Sequence, residues 1–294
     1  MVKTWLINPG DNRLRAGWRI LLFLLLMIGM AVGAQLGLRA ILGSLPKTSS
    51  LIFVLLAVVA TIAVYVARRW LDKKSFVSLG LSNPAIAWQD VLFGFALSGA
   101  MAAIVFGTML GLGIVSNVQI LAPDLAAMAP LLSLLLITIL IGYWEELFFR
   151  GYILQNMIEG LGLKIAVVVS CLLYGAVHAA NPNAGVLSTL IIVLFGYLRI
   201  YGYLATGLLW LSIGMHIGWN FFQGPVFGFA ASGHKDAHSL ITHDLTGPAW
   251  LSGGDFGPEA SVLTVPVVLL ALLVMRFWAS SRPSVACSPP RLPG

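Results

Sequence analysis

Apolar stretches long enough to cross a bilayer recur along almost the whole chain and leave little room for any other architecture. Eight candidate spans can be drawn, at 18–38, 50–67, 88–115, 129–149, 164–180, 185–204, 206–224 and 261–279. A helix needs about 20 apolar residues to cross ~30 Å of hydrocarbon. Composition agrees: 59% of the 294 residues are hydrophobic and 10% are charged, against roughly a quarter charged in soluble domains. Mean hydropathy is +0.94. The expected fold is all-α, a polytopic transmembrane helical bundle of about eight spans. No internal repeat, second globular domain or strand-rich region is visible. Three regions are expected: an N-terminal transmembrane region with two spans (1–80), a transmembrane domain carrying the chemistry (81–280), and a Pro- and Ser-rich disordered tail (281–294).

The net charge is +6, but the basic residues sit at the ends of apolar runs rather than in a basic stripe, so no nucleic-acid partner is expected. A cytoplasmic N-terminus places 14 Lys and Arg inside, among them Arg13, Arg15, Arg19, Arg68, Arg69, Arg150 and Arg199, and only Arg39, Lys47 and Lys235 outside. The positive-inside rule therefore favours an N-in, C-in topology. The first run is too long and lacks an early cleavage site, so it reads as a retained anchor rather than a signal peptide. Cys171 and Cys287 have no metal-ligand spacing. Residues 225–260 form a long outer segment rich in Gly and Pro, with His234, His238 and His243. A solvated polar loop is the expectation there; capture of a metal is the alternative.

Ionisable groups within apolar runs are expensive and usually functional, and three clusters stand out. In Glu145-Glu146-Leu147-Phe148-Phe149-Arg150, Glu146 and Arg150 share a helix face. Glu145 is rotated by ~100°, which leaves it to face an internal cavity as a general base. In Tyr174-Gly175-Ala176-Val177-His178 the tyrosine hydroxyl is placed to orient the imidazole; a satisfied core histidine is the plainer reading. In His216-Ile217-Gly218-Trp219-Asn220 two polar groups share a face and suit a developing oxyanion, although polar contacts between membrane helices use the same residues. No nucleophile-elbow serine and no His-Glu-x-x-His motif is present.

Taken in order, Glu-Glu-x-x-x-Arg, aromatic-x-x-x-His and His-x-x-x-Asn resemble the CPBP family, the CAAX-protease and bacteriocin-processing intramembrane proteins that include Rce1-type CAAX prenyl endopeptidases. The resemblance covers roughly residues 80–280. Tyr174 stands where the family usually has phenylalanine. The resemblance implies an eight-helix fold and a glutamate-dependent endopeptidase in which Glu145 and His178 activate water, His216 and Asn220 bind the oxyanion, and Glu146, Arg150 and Tyr174 support the site. It implies a bacterial plasma-membrane protein acting on a membrane-associated protein or peptide, prenylated or of leader type. No cofactor is expected; a divalent metal, if used, would fall to Glu145, His178 and His216. A non-catalytic binding or immunity protein and a proton-coupled transporter remain as alternatives.

One geometric requirement follows. With these span edges Glu145 lies about 8 Å and His178 about 21 Å from the inner ends of their helices, at 1.5 Å per residue. For the two to meet, the helix carrying Glu145 must tilt or continue past Gly151.

Overall fold

The structure, a computed structural model, describes residues 5–43, 50–82, 84–121 and 125–281. Cys287 and the tail expected to be disordered lie outside the described residues.

The helices are α1 (Ala16–Leu42), α2 (Ser50–Val66, with a π-helical end at Ala67–Leu71), α3 (Pro84–Gly111), α4 (from Leu125), α5 (Leu163–His178), α6 (Val186–Thr206), α7 (Trp210–Phe221, with a π-helical end at Phe222–Val226) and α8 (Thr264–Ser280). Five are long and apolar enough to cross a membrane: Ala16–Leu42, Leu51–Leu71, Ala85–Gly111, Met128–Leu161 and Val186–Thr206. α5 and α8 are shorter apolar helices. The protein is an all-α polytopic bundle and an integral membrane protein. Where edges differ from expectation, backbone explains it. Gly113, at φ +71°, ends the third run early, and Gly207, left-handed at φ 72°, caps α6 and separates it from α7.

α4 meets the geometric requirement by continuing. Leu125–Glu146 passes into a π-helical stretch, Leu147–Ile153, and on to Leu154–Leu161. Measured from the helix ends at Leu161 and Leu163, on either side of Gly162, Glu145 lies 16 residues and His178 15 residues along their helices, roughly 22–24 Å at 1.5 Å per residue.

One end of the bundle is tied by charge. Asp72 is fully buried and pairs with Arg19 at 2.9 Å and Arg68 at 2.8 Å. It also accepts from Asn156 at 3.3 Å and Tyr152 at 3.4 Å. Glu159 adds bonds to Arg19 at 2.8 Å, Arg13 at 3.2 Å and Lys74. This network clamps the last turns of α4 to α1 and α2. A short hairpin, β1 (Ile7–Asn8) with β2 (Arg13–Leu14), leads into it. The first two helices share one apolar core with α4 to α7, through Phe23, Ala60, Ala63, Tyr152, Leu204 and Ile213.

α3 and α7 touch backbone to backbone through small residues. A methyl at Gly218 would lie 2.6 Å from the Phe95 carbonyl oxygen, and one at Gly94 would lie 2.7 Å from that of Leu211. So Gly214 and Gly218 admit a neighbouring helix. Gly218→Ala is expected to lower stability by roughly 1–3 kcal/mol, read as a drop in Tm in detergent; an unchanged Tm would count against this seam.

The outer segment departs from the expectation of a solvated loop. β4 (Ile241–Leu245) pairs antiparallel with β3 (Val115–Ile120). Phe256, Pro258 and Glu259 are buried, and Phe256 packs with Phe149, Tyr174 and Ile192. The segment folds down over the middle of the bundle because its apolar residues have a core to reach. Of its histidines, His243 packs on the Phe229 ring at 4.6 Å and burial lowers its pKa; no group of three His, Cys, Asp or Glu forms among the described residues.

Candidate active site

The three polar clusters come together in the bundle interior. From α4, Glu146 and Arg150 are almost fully buried and form the ion pair that their spacing predicts, at 3.1 Å. The guanidinium also donates to the Gly196 carbonyl at 3.3 Å and stands 4.3 Å over the Tyr174 ring. Arginine is planar and donates from several positions at once, so a single side chain here ties α4 to α6 and α5.

From α7, His216 reaches both glutamates. Its Nδ1 is 2.8 Å from Glu146 Oε1, and its Nε2 is 3.7 Å from Glu145 Oε2. Glu146 accepts from Arg150 and also from His216, so the imidazole carries a proton on Nδ1 and turns its Nε2 toward Glu145. Glu145 keeps a 15% exposed side chain where Glu146 has none. The rotation between neighbours on a helix thus separates the pair: one glutamate is locked in a network, the other borders open space.

From α5, Tyr174 does not use its hydroxyl on His178. The hydroxyl donates to Glu145 Oε2 at 3.4 Å, and His178 Nδ1 instead bonds the Tyr174 main-chain carbonyl at 2.9 Å. The correction has a simple cause. Residues four apart on a helix are joined more directly through the backbone carbonyl, and the tyrosine is longer than that gap. The two rings remain in contact, tilted at 47° with centroids 4.3 Å apart, so Tyr174 touches both Glu145 and His178. Asn220 is half-buried, one turn above His216 on α7.

Arg199 belongs to the same site. The positive-inside rule places it among the inner-end cations, yet it is 2% exposed and bonds the Tyr174 hydroxyl at 2.5 Å, 3.9 Å from Glu146. Arg150 belongs with it in the interior. The sequence carries a signal of this: Leu198-Arg199-Ile200 puts a cation inside an apolar run with no span end beside it. Glu259 closes the run Gly253-Gly254-Asp255-Phe256-Gly257-Pro258-Glu259 in residues 225–260. It accepts from Trp219 at 2.9 Å and from the Ser232 main chain and hydroxyl at 2.8 and 2.6 Å, pinning the cover to α7.

Every residue of the three clusters, and Arg199, falls within a stretch that matches a known family. Residues 127–222 match one family model. The matching family model is that of the type II CAAX prenyl endopeptidase Rce1-like proteins. Over 201 residues the chain is 28% identical to the uncharacterized protein YyaK of Bacillus subtilis strain 168, covering 64% of each chain. The chain therefore spans about two thirds of that relative's length. The Rce1-like stretch runs from the first turns of α4 to the end of α7, so it contains the helices that build the site and leaves α1 to α3 and α8 outside.

The donors do not make a ready metal set. His216 uses Nδ1 on Glu146 and His178 uses Nδ1 on a carbonyl, which leaves each Nε2 as the open ring nitrogen; no group of three His, Cys, Asp or Glu forms among the described residues.

Proposed function

We propose that the chain is an intramembrane endopeptidase that hydrolyses a peptide bond of a membrane-associated protein or peptide. The carrying observation is the convergence of Glu145, Glu146, Tyr174 and His216 from three helices inside the Rce1-like stretch. In this reading Glu145 takes a proton from water as the new C–O bond forms at the scissile carbonyl. The C–N bond then breaks and the proton passes to the leaving amine, with His178 beside Tyr174 assisting. His216 and Asn220 face the developing oxyanion, and Glu146 with Arg150 braces His216. No metal takes part. The protein sits N-in and C-in in a bacterial plasma membrane, and its substrates are prenylated or leader-type polypeptides.

The Glu146–His216 contact favours a second assignment for one residue. A neutral ring that donates from Nδ1 can only accept at Nε2, so His216 serves an oxyanion only when doubly protonated. As a carboxylate-oriented base it needs no such change. His216→Gln separates the two, because glutamine keeps a donor and loses the base. Activity within about 10²-fold of the parent fits an oxyanion donor; a larger loss fits the base.

The reading is tested with purified protein in proteoliposomes, offered a prenylated CAAX peptide and a leader-type peptide, with products identified by mass spectrometry. Cleavage of one of them, unaffected by EDTA, is expected. Cleavage abolished by EDTA and restored by a divalent metal would overturn the metal-free mechanism.

A further inference from the structure

The hydroxyl of Tyr174 has its hydrogen bonding dictated by its neighbours. Arg199 Nη1 lies 2.5 Å from the oxygen, and a guanidinium has donors only. Tyr174 must therefore accept from Arg199, which leaves its single proton for another partner. Glu145 Oε2, at 3.4 Å, is the acceptor within reach. The contact is long, as catalytic hydrogen bonds often are before substrate binds.

Neither partner is free to swing away. Tyr174 is 2% exposed. Its ring is held edge-on by Phe149 at 5.0 Å, and Arg150 lies over one face at 4.3 Å. Arg199 is fixed through its backbone, since its carbonyl accepts from Ser212 Oγ of α7 at 2.7 Å. The chain Arg199–Tyr174–Glu145 thus runs from α6 through α5 to α4.

We propose that Arg199 and Tyr174 are a positioning pair for Glu145. They hold Oε2 in place and leave Oε1 as the oxygen presented to water. Neither residue touches the scissile bond. A phenylalanine at 174 would fill the same space but could not relay the arginine's hold, so the pair is a device that comes with tyrosine at this position. The inference rests on the peptidase reading for its consequence, but not for its geometry.

Two readouts keep these apart. The infrared difference between the parent protein and Glu145→Gln isolates the Glu145 carboxyl band. Tyr174→Phe, which removes one oxygen and keeps the ring, is expected to shift that band, and Arg199→Met is expected to shift it in the same direction. In the peptide assay, Tyr174→Phe is expected to lower kcat about tenfold or more, the scale of a hydrogen bond to a charged group, with KM and Tm little changed. Arg199→Lys keeps a cation and a donor and is expected to recover part of what Arg199→Met loses. A carboxyl band unmoved in Tyr174→Phe overturns the proposal whatever the assay gives. So does an unchanged kcat in an active parent. A shifted band in a parent that cleaves no peptide leaves the positioning pair standing and removes the peptidase reading.

Discussion

Glu145→Gln is expected to lower kcat on the order of 10²–10⁴-fold, the usual contribution of a general base, with Tm and KM close to the parent's. The side-chain amide has the shape of the carboxyl group and can still accept from Tyr174. It cannot take a proton from water. Glu146→Gln is expected to differ in kind. Glu146 is fully buried and holds Arg150 at 3.1 Å and His216 at 2.8 Å. Neutralising it leaves a buried guanidinium without its counter-charge, so Tm and activity should fall together. Steady-state kinetics beside thermal unfolding would separate the neighbours, and parent-like turnover by Glu145→Gln would sink its assignment as the base.

The largest stability loss is expected at a distance from the chemistry. Asp72→Ala leaves Arg19 and Arg68, 3% and 2% exposed, facing one another with no carboxylate between them. Removing one partner of a buried ion pair costs about 3–5 kcal/mol, and here one carboxylate serves two cations and also bonds Tyr152 and Asn156. Asp72→Asn keeps one acceptor oxygen and should lose less. Thermal unfolding in detergent checks both, and the ordering Ala below Asn below parent should hold at high salt, because buried pairs are poorly screened. Lys74→Ala, whose partner Glu159 is partly exposed, should by contrast change Tm little. Activity should follow stability in the Asp72 variants: the network fixes the lower end of the same helix that carries Glu145.

Span positions were readable because lipid imposes a length. Each run expected from apolar content contains a helix, and α4 continues past Gly151 as the depth argument required. Boundaries at Gly113 and Gly207 moved because backbone conformation, not hydropathy, stops a helix. At residues 225–260 polar composition suggests solvation where the fold buries part of the segment. Glu259 shows why: it is buried because Trp219 and Ser232 supply three donors, a compensation that no local pattern displays. Arg199 differs from expectation for a similar reason: residue type alone points to a span end, and its partner Tyr174 places it in the interior.

Local order along the chain was enough for the membrane-spanning architecture, for the three polar clusters, and for the division of labour within Glu145-Glu146, since ~100° per residue must turn adjacent side chains apart. Partners were another matter. His216 meets Glu146 across 70 residues, and Arg199 meets Tyr174 across 25. Such contacts exist only once helices pack, because the hydrogen-bond reach of a side chain is a few ångströms while the partners sit on different helices, tens of residues apart along the chain. Tertiary packing therefore decided which nitrogen of His216 donates to Glu146 and where the Tyr174 hydroxyl points. It also made Arg199 part of the site.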